Sequence, residues 1–352
     1  MRGRWAKFKT TSIMICALCL DKEATKKNTH YLTDGIIRSC LNFEGSNERE
    51  KGFYFDMSSR TAGVDFYFQR ETPTVQLEKT FGRLPSDEEI DKAKKIPFSV
   101  NEVFCPDCEK IFTGIENQFL QNILPQFRDS NLTGLDNKRF EQVKELRLFF
   151  YIQIWRTSVC DSSFKLTEST KEMLRQFIFE SNRFQQFELT FFPLTVTYLE
   201  TLGGKQAYTS NIVGITNDIN PFIILFNDFV IQFYESDKSI KFDSFNGLND
   251  EITFLDNINF NEQKFLIPII NNKKRKEISD AITDQKVKET LMLLEYTFTR
   301  QFQRLYHLSP PIYLKDRFID GFVKNINNNY LNYTAEQIAN YTNAFFASLR
   351  IR

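Results

Sequence analysis

The chain is predicted to be α+β, in two parts, on three observations. Two Cys-x-x-Cys pairs, Cys16/Cys19 and Cys105/Cys108, stand far apart in a thiol-poor sequence. Residues 52–57 and 64–69 alternate aromatic with polar side chains, the two-residue period of strands. Beyond residue 129, long apolar segments at helical spacing alternate with short apolar runs that read as strands. Together they predict a small metal-stapled domain over 1–128, carrying an inserted hairpin and helix over 31–100. A larger helix-rich mixed domain over 129–352 follows, and the Asn, Thr and Gly of 129–137 mark the boundary.

Composition narrows the function. At 41 % hydrophobic and 26 % charged the chain is globular. Its 37 Phe against 2 Trp supply ample apolar area for a core. The 45 basic residues balance 45 acidic ones, so bulk polyanion binding is excluded and any nucleic-acid contact must come from a local patch. With 2 histidines, His30 and His307, a mechanism needing a histidine pair has almost no residues to choose from. Six cysteines in 352 residues do not make a disulfide scaffold. Cys40 and Cys160, outside the two pairs, read as small buried hydrophobes. The apolar stretch 12–20 is too short to span a bilayer and ends in a cysteine pair; no signal peptide is recognised, and a reducing cytoplasm is expected.

Taken in order, Arg2, Arg4, Lys7 and Lys9 form a basic arm, more often a solvated end than a phosphate contact. Residues 10–15 read as a short strand entering the first cysteine pair, and 31–41 as helical or irregular. The two aromatic strands flank a hairpin loop at 58–63. Ser86 with Glu89 is a capping box, so a helix runs from there to about Lys95, before Pro97. After Cys108, Phe112, Ile115, Phe119 and Ile123 mark a helix with one buried face, ended by Pro125. Glu109 and Glu116 are two turns apart on that helix, at the margin of the apolar stripe.

In the second part, 139–159 and 167–184 are predicted helices, the latter capped by Thr167. Residues 189–192, 194–199 and 223–233 are predicted strands. The run Asn271-Asn272-Lys273-Lys274-Arg275-Lys276 reads as a solvated basic loop. Helices over 287–306, 314–326 and 334–349 close the chain, the last with a capping box of Thr334 and Gln337.

The cysteine pairs carry the chemistry. Zinc takes four soft ligands in structural sites, and two Cys-x-x-Cys knuckles supply them. A redox reading needs a thioredoxin-like frame, and none surrounds Cys105 and Cys108. The order is Cys16-x-x-Cys19, His30, Asn101, Cys105-x-x-Cys108, then Glu109. This resembles the zinc-ribbon subclass of the HNH, or ββα-metal, endonucleases.

The resemblance implies a ββα-metal-like N-terminal domain with structural zinc on Cys16, Cys19, Cys105 and Cys108. It implies His30 as general base, Asn101 as the residue holding the finger in shape, and Glu109 as ligand of a catalytic Mg²⁺ or Mn²⁺. Glu116 is a candidate second oxygen. Thr29 precedes His30 where the family usually has an acidic or histidine ligand, and Glu109 replaces its His or Asn. The implied activity is hydrolysis of DNA or RNA phosphodiesters, by analogy in restriction or anti-phage defence, with 129–352 sensing, regulating or binding a protein partner. The alternative reading is a non-catalytic zinc-ribbon protein that binds nucleic acid or a protein partner.

Overall fold

The computed structural model describes residues 14–40, 53–56, 65–68, 73–94, 96, 98–200, 212–216, 220–324, 333 and 335–350. The expected basic arm, most of the strand over 10–15, the hairpin loop 58–63 and Thr334 lie outside them. The chain is mixed α and β, as expected. Its first part holds strand β1 (Thr29–His30), helix α1 (Asp34–Cys40), strands β2 (Phe53–Asp56) and β3 (Asp65–Phe68), helices α2 (Thr74–Phe81) and α3 (Asp87–Ala93), strand β4 (Ser99–Val100), and helices α4 (Pro106–Asn122) and α5 (Pro125–Arg128). The rest runs β5 (Asn137–Phe140), α6 (Val143–Cys160), α7 (Glu168–Phe179), α8 (Gln186–Leu189), β6 (Leu194–Leu199), β7 (Ile212–Ile215), β8 (Phe222–Phe226), β9 (Phe229–Phe233), β10 (Phe265–Ile270), α9 (Asn272–Tyr306), α10 (Ile312–Val323) and α11 (Ala335–Arg350).

Local chemistry accounts for the boundaries. Glu89 N–H donates to Ser86 Oγ at 3.3 Å and Ser86 N–H donates to the Glu89 carboxylate at 2.8 Å, closing the expected box ahead of α3. Thr167 caps α7 by accepting from the Thr170 amide. The predicted aromatic hairpin forms, with Phe53 opposite Phe68 and Asp56 opposite Asp65.

Three expectations are corrected. Residues 189–192, expected as a strand, are instead the end of helix α8 and the turn that follows it. The predicted strand 223–233 is two, β8 and β9, folded back at Asn227-Asp228. The basic run 271–276 is no loop: Asn271 accepts from the Lys274 amide and starts a 35-residue helix, α9. The paired strands β5 and β10 and helix α2 are not among the expected elements.

An eight-stranded mixed sheet orders its strands β3-β2-β7-β8-β9-β6-β10-β5. Both faces of its middle strands are buried; β8 is apolar throughout, whereas β6 buries Thr195 and Thr197 and β9 buries Gln232. Alternation divides their side chains. Phe222, Ile224 and Phe226 of β8 join the core against α4 and α6. Ile223 and Leu225 face Ile278 and Ile282 of α9 on the other side.

Helix α6 lies at the centre and is buried around most of its circumference from Val143 to Thr157. One core runs from Cys16 to Ile269 and so crosses the boundary expected near 129–137. A separate core joins Leu294, Phe298 and Phe302 of α9 to Phe318 and Phe322 of α10 and Ile338 and Phe346 of α11.

Candidate metal centre and active site

The two cysteine pairs meet because the backbone zips their flanking segments together. Ala17 N–H donates to Val103 O at 3.0 Å, Lys26 N–H to Phe104 O at 3.0 Å, and Glu102 N–H to Lys26 O at 2.7 Å. The same antiparallel run continues as β1 against β4, with Thr29 opposite Val100 and His30 opposite Ser99. Leu20, at φ 57°, turns the chain after Cys19. That turn lets the Lys22 amide point at Cys19 Sγ from 3.5 Å. Cys105 is the N-cap of α4, and Pro106 supplies the fixed φ that a first helical position favours.

The Sγ atoms of Cys16, Cys19, Cys105 and Cys108 all lie within 4.8 Å of one another. A tetrahedron with metal–sulfur bonds of about 2.3 Å has edges of about 3.8 Å, so the four thiols fit one soft ion with little movement. Cys16, Cys105 and Cys108 are buried and Cys19 is half-buried. Burial pushes the Cys16 thiol up. At Cys19, burial is outweighed by amide donors from Lys22 and Asp21, and its thiol falls to about 7.

Behind the knuckles the structure separates the candidate site residues into two layers. His30 and Asp34 form the outer one: His30 Nδ1 is 3.8 Å from Asp34 Oδ1, with 26 % of the His30 side chain exposed. Asn101 Oδ1 accepts from the Asn28 amide at 2.8 Å, fastening the backbone two residues before His30.

Thr29, Thr33, Glu109, Glu116, Gln153 and Arg156 form the inner layer. Glu116 Oε1 accepts from the Thr33 hydroxyl at 2.7 Å and from the Arg156 guanidinium. Gln153 grips Thr33 twice, at 3.0 Å through the backbone and 2.8 Å through the hydroxyl. Arg156, 2 % exposed, also lies over the Phe112 ring.

Glu109 sits in the first turn of α4, where the helix dipole favours a negative charge. Burial nonetheless raises its pKa, against the pull of Arg156 and the nearby Thr29 hydroxyl. Glu109 Oε1 and Thr29 Oγ1 are buried and make no well-formed hydrogen bond. Two such oxygens are a donor set that a small hard cation accepts. Glu116 offers less, since Arg156 and Thr33 already engage it.

Sequence reasoning missed Asp34, Thr33, Gln153 and Arg156. One signal existed for Arg156: a charged residue inside a helix apolar all round must have a buried partner. The other histidine, His307, caps α9 in the left-handed conformation and takes no part in this site. Among the described residues no helix is long and apolar enough to cross a membrane. No family model matches this chain, and neither the curated proteins nor the solved structures provide a match.

Proposed function

We propose that the chain is a metal-dependent nuclease of the HNH type, with β1, β4 and α4 as a zinc-stapled ββα finger. The observation that carries the reading is the Asn101–Asn28 clamp, which steadies the strand bearing His30 beside four convergent cysteines. The soft, four-thiol donor set favours zinc, in a structural role. His30, with Asp34 Oδ1 3.8 Å from its Nδ1, would be the general base that takes a proton from the attacking water near neutral pH. Water oxygen bonds to phosphorus, its proton passes to His30, the bond to the leaving sugar oxygen breaks, and that oxygen takes a proton from solvent. Mg²⁺ or Mn²⁺ at Glu109 would supply charge neutralisation at the scissile phosphate. The substrate is DNA or RNA, the setting a reducing cytoplasm and, by analogy, restriction or anti-phage defence, and residues 129–352 would receive the partner or signal.

A second reading, a non-catalytic zinc protein that binds nucleic acid or a protein partner, is favoured by one contact. The buried Arg156 already places a positive charge against Glu116 and near Glu109, where it competes with a cation.

The test is cleavage of plasmid DNA and of RNA by the zinc-loaded chain with Mg²⁺ or Mn²⁺. His30→Ala is expected to abolish cleavage while zinc content and melting stay as in the wild type. Cys105→Ser is expected to lose zinc and the folded knuckle together. Absence of cleavage by wild type, with zinc bound, leaves the binding reading in its place.

A further inference from the structure

The four cysteines are not held only by their own finger. Arg175, on α7, donates from Nη1 to Leu18 O at 2.7 Å, inside the Cys16-Ala17-Leu18-Cys19 knuckle. The rest of its guanidinium is fixed: Nε and Nη2 each donate at 2.7 Å to the two carboxylate oxygens of Glu172, one turn earlier. Gln176 Nε2 donates to the same Glu172 at 2.8 Å, so the fork is braced from both sides along one helix face. The opposite face of α7, with Leu174, Phe177 and Ile178, is buried in the main core. The knuckle is thereby tied through one rigid cation to a helix far along the chain.

We propose that Arg175 is a positioning residue for the metal centre, coupling metal occupancy of the knuckles to the docking of α7. The inference rests on the reading of the four thiols as a zinc site. A zinc ion with four thiolates carries a formal charge of about −2; Arg175 turns its Nη1 toward the knuckle, while Glu172 balances much of the guanidinium's charge. Its bond to Leu18 O also holds the loop in the shape that aims Cys16 and Cys19 at one point. Outer contacts of this type usually change metal affinity by about 10–100-fold. Coupling is reciprocal: what Arg175 does for zinc, zinc does for α7.

The experiment compares full-length wild type with Arg175→Gln and Arg175→Lys, all loaded with zinc. Zinc loss to a chromogenic chelator is followed with time, and amide exchange of 168–179 is measured with and without zinc. Arg175→Gln is expected to lose zinc about tenfold faster, with Arg175→Lys between it and wild type because a point charge replaces the fork. Zinc removal is expected to raise exchange in α7 of wild type and to change it little in Arg175→Gln. Equal zinc-loss rates in all three proteins, or α7 exchange in wild type indifferent to zinc, overturns the inference. A wild-type chain that binds no zinc overturns the underlying reading instead.

Discussion

Phe119 tests whether the finger and the sheet are one folding unit. The side chain is 1 % exposed. Its ring stacks on Phe149 at 3.7 Å between centroids, and meets Phe150 and Phe229 edge-on at 5.6 Å each. Those contacts join α4 to the central helix α6 and to strand β9. Truncating a buried Phe to Ala costs about 3–5 kcal/mol. Ring pairs add on the order of 0.5–1.5 kcal/mol each beyond burial, partly within that figure, so Phe119→Ala belongs near its upper end. About 4–5 kcal/mol is a roughly thousandfold change in the folding equilibrium, at about 1.4 kcal/mol per tenfold.

The assay is native-state amide exchange by segment, alongside urea unfolding followed by circular dichroism. If one core spans Cys16 to Ile269, α4, α6, β8 and β9 lose protection together. Helices α10 and α11, which have their own core, keep theirs. Unchanged protection in β8 and β9 would refute the single core and support a boundary near residue 129.

Two further outcomes follow from charge. Arg275 is 2 % exposed and donates to Leu199 O, Asp228 and Asn227; Asp228 also keeps its pair with Arg128, so Arg275→Met is expected to cost about 1–3 kcal/mol in urea unfolding for the acceptors it leaves, whereas exposed Lys273→Ala is expected to stay within about 0.5 kcal/mol. Glu89 is held below its ordinary 4.5 mainly by the Arg83 guanidinium. A depressed carboxylate stabilises above its unfolded pKa, and that contribution fades as pH falls through the folded value. Glu89→Gln should therefore flatten the stability–pH curve below about pH 4.5, read by thermal melting across an acid series; an unaltered slope counts against the ion pair.

Much of the local order was legible because its causes are local. The Ser86–Glu89 box, the Thr167 cap and the aromatic hairpin each depend on residues near in sequence. The four cysteines could also be matched, since thiols are scarce and their spacing is characteristic of a metal knuckle. Gly35 shows a constraint that spacing does not disclose: a Cβ there would meet Leu120 Cδ1 at 2.9 Å, so a larger residue on α1 would force the Leu120 side chain of α4 to shift.

The sequence by itself determined that two cysteine knuckles needed one another, that α4 had a buried face, and that a strand such as β8 was apolar throughout. Tertiary structure decided which side of the sheet each strand residue faces, because a run apolar on both faces contains no period to read. It also decided that Arg275 is buried although it stands in a run of lysines, and that Arg156 engages Glu116. Those outcomes depend on which distant groups desolvate a charge and which compensate it, and such partners are chosen by packing in three dimensions rather than by neighbours along the chain.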